Sequence, residues 1–107
     1  MKMQDLYSLL KTINIPVAYH SFKASNMEVK QPPYIIYFAT SSNNFGADNR
    51  VYLKQNNYTV ELYTNKKDFS LENKLEDALD SASIFYDKTE TYIDTEAMYQ
   101  ISYQIQI

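Results

Sequence analysis

Residues 43–82, NNFGADNRVYLKQNNYTVELYTNKKDFSLENKLEDALDSA, decide the fold because a tight hairpin and a capped helix follow one another in this stretch. Two runs with strand-like alternation, 51–55 and 58–64, flank Asn56 and Asn57. Asparagine tolerates the positive backbone φ that both central residues of a two-residue type I′ turn require. The pattern therefore predicts a β-hairpin that turns at these two asparagines.

The register of the predicted hairpin follows from its apolar residues. Pairing across the turn places Leu53 opposite Val60, so that one face is apolar throughout. A slip of one residue would mix apolar and polar side chains on both faces. Tyr52 and Tyr63 then lie on the other face, which a helix or another subunit must cover.

A helix is predicted directly after the hairpin. Ser70 stands where an N-cap oxygen accepts from free backbone amides, and Glu72 lies near the positive end of the helix dipole. Glu72, Glu76 and Asp80 recur at four-residue spacing, which predicts a solvated acidic face, or a surface that docks a basic partner. The buried stripe is predicted to be Leu71, Leu75, Ala78, Leu79 and Ala82.

The chain before this stretch predicts one more helix and two strands. Apolar residues at helical spacing indicate an amphipathic helix over 3–13, and 17–22 predicts a brief strand. Residues 34–40 are apolar on both faces of a strand, which favours a central strand with a helix packed on each side. A contact with another subunit is the alternative. Residues 41–50 are predicted to form a loop.

The end of the chain has the clearest period-two pattern. Residues 99–107 alternate apolar and polar side chains, which predicts a strand with one wet face. We expect it to pair with 85–93 across a loop at 94–98, in a register that the pattern leaves open. With a length of 107 residues, the sequence predicts a single domain over 1–107 of α+β class, a small mixed or antiparallel sheet with two α-helices packed on it.

Composition excludes several classes of partner. The net charge of −3 disfavours nucleic acid, and no stretch approaches the roughly 20 apolar residues of a membrane span. The absence of cysteine removes thiolate chemistry and suits a reducing compartment. We therefore expect a soluble protein without nucleic-acid or membrane partners.

Groups that carry catalysis are sparse in this sequence. His20 is the only histidine, and an isolated histidine beside a short strand is more often structural than catalytic. Gly46 is the only glycine, whereas phosphate-binding loops need several. The helix carboxylates lack ligands from a second element that would complete a metal site. The sequence predicts no enzyme, no cofactor and no metal.

Aromatic residues suggest contacts instead of chemistry. Tyrosine accounts for 11 residues, and its apolar ring with a polar tip suits protein interfaces. Phe45, in the polar loop beside Gly46, is a candidate anchor, although its ring could also fold back on the core. The candidate assembly interface consists of Phe45, Arg50, Tyr52, Tyr63 and Tyr37.

Three segments carry a resemblance to a known family: NNFGADNRVYLKQNNYTVELYTNKKD over 43–68, LENKLEDALD over 71–80 and IFYDKTETYIDTEAMYQISYQI over 84–105. They resemble the small tail-completion proteins of long-tailed bacteriophages. The resemblance covers most of the chain after residue 42, and the N-terminal part matches only in its general pattern. Its motifs are structural, and no active site is carried over.

The resemblance implies a tail terminator or tail-to-head joining protein. Such a protein forms a ring of about six subunits through a heterologous interface that closes by rotation. Its implied partners are copies of itself, the tail tube protein and the head-tail connector protein. The implied location is the tail or neck of the virion, after synthesis in the cytoplasm of a bacterial host.

Three alternatives stay open at this point. A head-completion or neck connector protein would occupy another layer of the same region. A monomeric binding module for a peptide or small ligand would show a formed pocket. An enzyme would need clustered ionisable groups, for which the sequence offers only His20 and the helix carboxylates.

Overall fold

The computed structural model describes residues 3–28, 30–47 and 50–107. It consists of one five-stranded sheet and two helices. The side chains of 41–47 and 50–55 lie outside this description. The sheet has the order β1-β2-β3-β5-β4, with β1 parallel to β2 and all other pairs antiparallel. The predicted α+β class with a mixed sheet is confirmed. In chain order the elements are α1 (Met3–Lys11), β1 (Val17–Tyr19), β2 (Tyr34–Ala47), β3 (Arg50–Thr64), α2 (Phe69–Ser81), β4 (Tyr86–Ile93) and β5 (Met98–Gln106).

The hairpin predicted at Asn56 and Asn57 is wrong. Both asparagines lie inside β3, where Asn56 pairs with Ser42 and Asn57 pairs with Ser41. Neither has the positive φ that a type I′ turn requires. The antiparallel pairing of β2 and β3 continues past both asparagines as far as the pair of Ala47 with Arg50. The predicted loop over 41–50 is therefore wrong for 41–47, which belong to β2.

Hydrogen bonds hold the two asparagines in extended backbone. Asn56 donates its N–H to the carbonyl of Ile107 and accepts the N–H of Ile107, both at 2.9 Å. Asn57 pairs with Gln106 of β5, and the Gln106 amide donates to its side-chain oxygen at 3.1 Å. With partners on both sides, extended backbone satisfies more polar groups than a turn would.

Both helices pack on one face of the sheet, so the prediction of a helix on each face of residues 34–40 is wrong. Ile35 and Tyr37 lie in the larger core with the buried residues of α1 and α2. Ile36 points to the second face, where the segment after β1 covers it with Phe22. The second face therefore has an apolar patch without a helix. The larger core consists of Leu6, Leu10, Ile13, Val17, Ile35, Tyr37, Tyr58, Val60, Leu62, Leu71, Leu75, Leu79, Ile84, Ile101, Tyr103 and Ile105.

The N-cap of helix α2 lies two residues earlier than predicted. Its N-cap is Asp68, whose carboxylate accepts the Leu71 N–H at 3.0 Å, and the predicted cap Ser70 already lies inside the helix. A carboxylate at this position also interacts favourably with the helix dipole. Of the predicted stripe, Leu71, Leu75 and Leu79 are buried.

The C-terminal hairpin has the predicted elements. Strands β4 and β5 are antiparallel, and Ile93 pairs with Met98 around the connecting turn. Ile101, Tyr103 and Ile105 are buried in the larger core, while Gln104 and Gln106 are exposed. The structure thus supplies the register that the period-two pattern left open.

Candidate functional site

Two of the predicted interface residues have described side chains, and they lie on opposite faces. Tyr37 is only 5% exposed and its ring makes an edge contact with Tyr19 at 5.2 Å between centroids. Because Tyr37 is buried in the larger core, its ring is not available to a neighbouring subunit. Tyr63 is half-buried on the face that carries no helix.

Phe45, Arg50 and Tyr52 have described backbone but their side chains lie outside the description. Phe45 is in β2, paired with Leu53, and the other two residues are in β3. Their role in an interface stays a prediction. What the structure adds is the position of Phe45 and Arg50, which belong to strands and not to the loop that the sequence predicted. Tyr52 lies in a strand, as predicted.

These three residues lie on a two-stranded arm, formed by 41–47 of β2 and 50–55 of β3. Strand β5 pairs with β3 only as far as the hydrogen bonds between Asn56 and Ile107. Strand β1 pairs with β2 only as far as Tyr37. Among the described strands, those of the arm pair only with each other. Seven residues of strand extend about 23 Å, and the molecule is 51 Å long against 29 and 25 Å in the other directions. The arm therefore projects from the end of the sheet.

A groove of about 400 Å³ lies on the helix-free face, at the opposite end of the sheet from the arm. Its aromatic rings contact each other: Tyr34 stacks on Tyr63 with centroids 4.9 Å apart, and Phe22 meets Tyr34 edge-on at 5.1 Å. Ring pairs with these geometries stabilise each other and hold a defined shape. The apolar lining of the groove is Phe22, Tyr34, Ile36, Tyr63, Ile93 and Met98.

The rim of the groove is charged. Glu61 accepts from the Tyr63 hydroxyl at 2.9 Å and from the Gln100 amide at 3.0 Å. No cation lies within ion-pair distance of Glu61 among the side chains that the structure describes. A second carboxylate, Glu96, is exposed on the turn between β4 and β5. His20 and Lys23 line the groove from the segment after β1.

The two carboxylates place negative charge close to the tyrosines of the groove. Burial raises the pKa of Tyr34, and the negative charges of Glu96 and Glu61 raise it further. Burial, together with the hydrogen bond to Glu61, raises the pKa of Tyr63 to about 12. The neutral groove hydroxyls therefore lie beside a charge that a cationic partner could neutralise.

Sequence reasoning found only part of this groove. The alternation in 34–40 predicted that Tyr34 and Ile36 share a face, and the Tyr63 face was predicted to need cover. Their meeting depends on the pairing of Tyr34 with Tyr63, which the misplaced hairpin turn concealed. Phe22 was predicted to lie in a strand over 17–22, whereas β1 ends at Tyr19 and Phe22 belongs to the segment that follows it.

The predicted solvated face of α2 is wrong for two of its three carboxylates. Glu72 is 2% exposed, with Lys67 Nζ 2.8 Å from its Oε2 and Lys88 Nζ 2.9 Å from its Oε1. Lys88 also lies 2.8 Å from Glu76 Oε2, and Lys67 pairs with Glu90. Only Asp80 of the predicted face is exposed. Lysines from the turn before α2 and from the edge strand β4 neutralise this face.

Glu76 is tied to the core by tyrosine hydroxyls. The Tyr103 hydroxyl donates to Oε2 at 2.8 Å and the Tyr86 hydroxyl donates to Oε1 at 3.3 Å. Burial raises the pKa of Glu76, but hydrogen bonds from Lys88 and Tyr103 outweigh it and leave the pKa below its ordinary value. Burial raises the pKa of Tyr103, and the hydrogen bond to Glu76 raises it further. This cluster is internally satisfied and leaves little capacity for an outside ligand.

Two further findings concern ligands and membranes. Within residues 3–28, 30–47 and 50–107, no group of three or more His, Asp or Glu side chains is placed to hold a metal ion. His20 is exposed and meets Phe38 edge-on at 6.4 Å. No helix in the described part of the chain is both long and apolar enough to cross a bilayer.

Comparison with known proteins adds no family. No protein-family model matches this sequence. A search of curated proteins likewise finds no match. What the chain does must therefore be inferred from its residues and its fold.

Proposed function

We propose that this protein is a structural component of a long-tailed bacteriophage, which closes the tail tube and joins the tail to the head as a ring. It acts by protein–protein assembly, and no covalent chemistry is involved. Its partners are copies of itself, the tail tube protein and the head-tail connector protein. The similarity of 43–68, 71–80 and 84–105 to tail-completion proteins motivates the proposal.

The arm is the observation that carries the proposal. A two-stranded ribbon is marginally stable alone in water, because it has little apolar surface to bury and both outer edges expose unpaired backbone groups. An assembled neighbour would cover those edges and faces. A ribbon that projects beyond its own domain is therefore suited to an intersubunit contact, and three of the four remaining predicted interface residues, Phe45, Arg50 and Tyr52, lie on it.

The helix-free face of the sheet supports the same proposal. It exposes part of an apolar patch formed by Tyr34, Phe38 and Tyr63 around the buried residues Phe22 and Ile36. Within the described part of a single chain, the segment after β1 covers only part of this patch. A contact with an adjacent protein would remove the rest of its apolar surface from water, which favours association.

Sedimentation of the purified protein tests the proposal. We expect the sedimentation coefficient to rise with concentration toward a ring of about six subunits, and we expect the protein to co-sediment with isolated tail tubes. Absence of both self-association and tube binding would show the proposal to be wrong. Electron cryomicroscopy of virions would separate a tail terminator from a head-completion or neck connector protein by the layer that it occupies.

A variant without the arm provides the matched comparison. Residues 43–55 are replaced by Asn-Gly, which supplies a two-residue turn between the paired residues Ser42 and Asn56. We expect this variant to unfold cooperatively in urea, because the larger core lies outside the arm, and to remain monomeric at concentrations where the full chain associates. Association equal to that of the full chain would exclude the arm as the assembly element.

The groove favours a second candidate, a monomeric binding module for a peptide or small ligand. Its volume of about 400 Å³ falls within the range of small-molecule sites. A binding module of this kind stays monomeric at every concentration, and its ligand covers the groove. The sedimentation series therefore separates the two candidates.

A further inference from the structure

The groove has the chemistry of a receptor for an aromatic and cationic segment. Its lining combines aromatic and aliphatic side chains with two carboxylates, Glu61 and Glu96, which outnumber the one lysine, Lys23, on the segment after β1. Glu61 is only partly exposed, and it accepts hydrogen bonds from two neutral donors, the Tyr63 hydroxyl and the Gln100 amide. Its charge has no ionic partner in the described part of the chain. A positively charged group beside it would be attracted more strongly than in open water.

The arm has the complementary composition. Phe45 brings a large apolar ring, with Gly46 next to it, and Arg50 and Lys54 bring positive charge. The adjacent glycine has no side chain, so another backbone can approach closely there. Aromatic residues and arginine are the types most often found at energetically dominant contacts.

The geometry prevents a chain from filling its own groove. The groove lies where β2 begins, at Tyr34 and Ile36, and Phe45 lies near the other end of the same strand. Eleven residues of strand separate Tyr34 from Phe45, which corresponds to about 36 Å. An arm can therefore meet a groove only between two molecules.

We propose that the arm of one subunit docks in the groove of the next, with Phe45 against the aromatic lining and Arg50 near Glu61 and Glu96. This inference rests on the proposed function and names its subunit contact. Because arm and groove are different surfaces of the same chain, the contact is heterologous, and its repetition closes into a ring if the rotation allows it. Burial of the Phe45 ring and pairing of the groove carboxylates stabilise the contact.

Mixing two defective variants tests this contact. Phe45→Ser removes the aromatic anchor of the arm, and Tyr34→Ser removes an aromatic ring of the groove. We expect each variant alone to associate about 10- to 100-fold more weakly than the unmodified protein, the loss expected for one buried aromatic ring. Each variant keeps one intact surface, so an equimolar mixture should form 1:1 dimers and nothing larger.

Matched controls separate docking from folding. Phe85 is 81% exposed and lies outside the groove, so Phe85→Ser should associate like the unmodified protein. If Tyr34→Ser shifts the urea midpoint, Glu96→Lys replaces it, because Glu96 is exposed and its reversal changes only the charge at the rim. Urea unfolding of every variant checks that the fold is retained.

The outcomes distinguish this contact from the function on which it rests. If the unmodified protein forms rings and the arm and groove variants do so equally well, the docking contact is wrong and the proposed function stands. If Phe45→Ser alone blocks association, the arm docks elsewhere and the contact is also wrong. If the unmodified protein neither self-associates nor binds tail tubes, both proposals fail together.

Discussion

Lys88 Nζ lies 2.9 Å from Oε1 of Glu72, and this ion pair joins the edge strand β4 to helix α2. Glu72 is 2% exposed, whereas the Lys88 side chain is 36% exposed. A carboxylate buried to this extent is stable only with partners, and Lys67 supplies the second. The pair therefore holds the outermost strand of the sheet against the helix that covers it.

Loss of the buried carboxylate should destabilise the fold. We expect Glu72→Ala to lower the free energy of unfolding by about 2 kcal/mol, less than for a fully buried pair because both lysines reach solvent. Urea denaturation measures the change. Asp77→Ala, at an exposed position of the same helix, should stay within about 0.5 kcal/mol of the unmodified protein. Equal effects of the two substitutions would contradict a structural role for the ion pair.

Acid should weaken the fold through Glu76. Because the pKa of Glu76 is lowered in the folded state, its contribution to stability is complete above its unfolded pKa, near 4.5, and is lost as the pH falls through the folded value. We expect the free energy of unfolding to decrease below about pH 4.5. Glu76→Gln should make that decrease shallower, as measured by urea denaturation across the pH series. An unchanged slope would show that Glu76 does not contribute to it.

The position of the α2 cap gives a paired test. Asp68→Ala removes the acceptor of the Leu71 N–H and should lower the free energy of unfolding by about 1 kcal/mol. Ser70→Ala lies inside the helix on an exposed position, where alanine has the higher helix propensity, and should be neutral or slightly stabilising. Thermal or urea unfolding distinguishes the two. If Ser70→Ala lowered the free energy of unfolding more than Asp68→Ala, Ser70 would be the N-cap, as the sequence predicted.

Substitution of Asn56 separates a strand from a turn. In extended backbone, Asn56→Thr should leave the free energy of unfolding unchanged or raise it by up to about 1 kcal/mol, since threonine favours strands. Asn56→Gly should lower it by a similar amount, because glycine loses more backbone entropy. A type I′ turn would give the opposite signs. Urea denaturation of the two variants therefore decides between the conformations.

Local patterns predicted the elements whose buried face repeats regularly. The alternation of Ile101, Tyr103 and Ile105 identified the inward face of β5, and the spacing of Leu71 and Leu75 identified that of α2. A side chain's direction along a strand or helix depends on backbone geometry alone. These assignments therefore required no knowledge of the partner elements.

The cap of α2 was missed for a local reason. Asp68 and Ser70 both have oxygen acceptors suited to a helix N-terminus, and two positions separate them. The pattern of buried leucines is compatible with a helix that begins at either residue. The backbone of Asp68, which precedes the first helical residue Phe69, decided the cap.

The sequence by itself determined which leucines of α2 and which alternating residues of β5 face the core, because those periods follow from the chain's own geometry. Tertiary structure alone decided that Asn56 continues a strand, since asparagine accepts either conformation and the pairing with Ser42 and Ile107 selects the extended one. It likewise decided that Glu72 is buried, because Lys88, sixteen positions later, reaches it only when β4 packs beside α2. Contacts between residues distant in sequence depend on how whole elements pair, which no local pattern specifies.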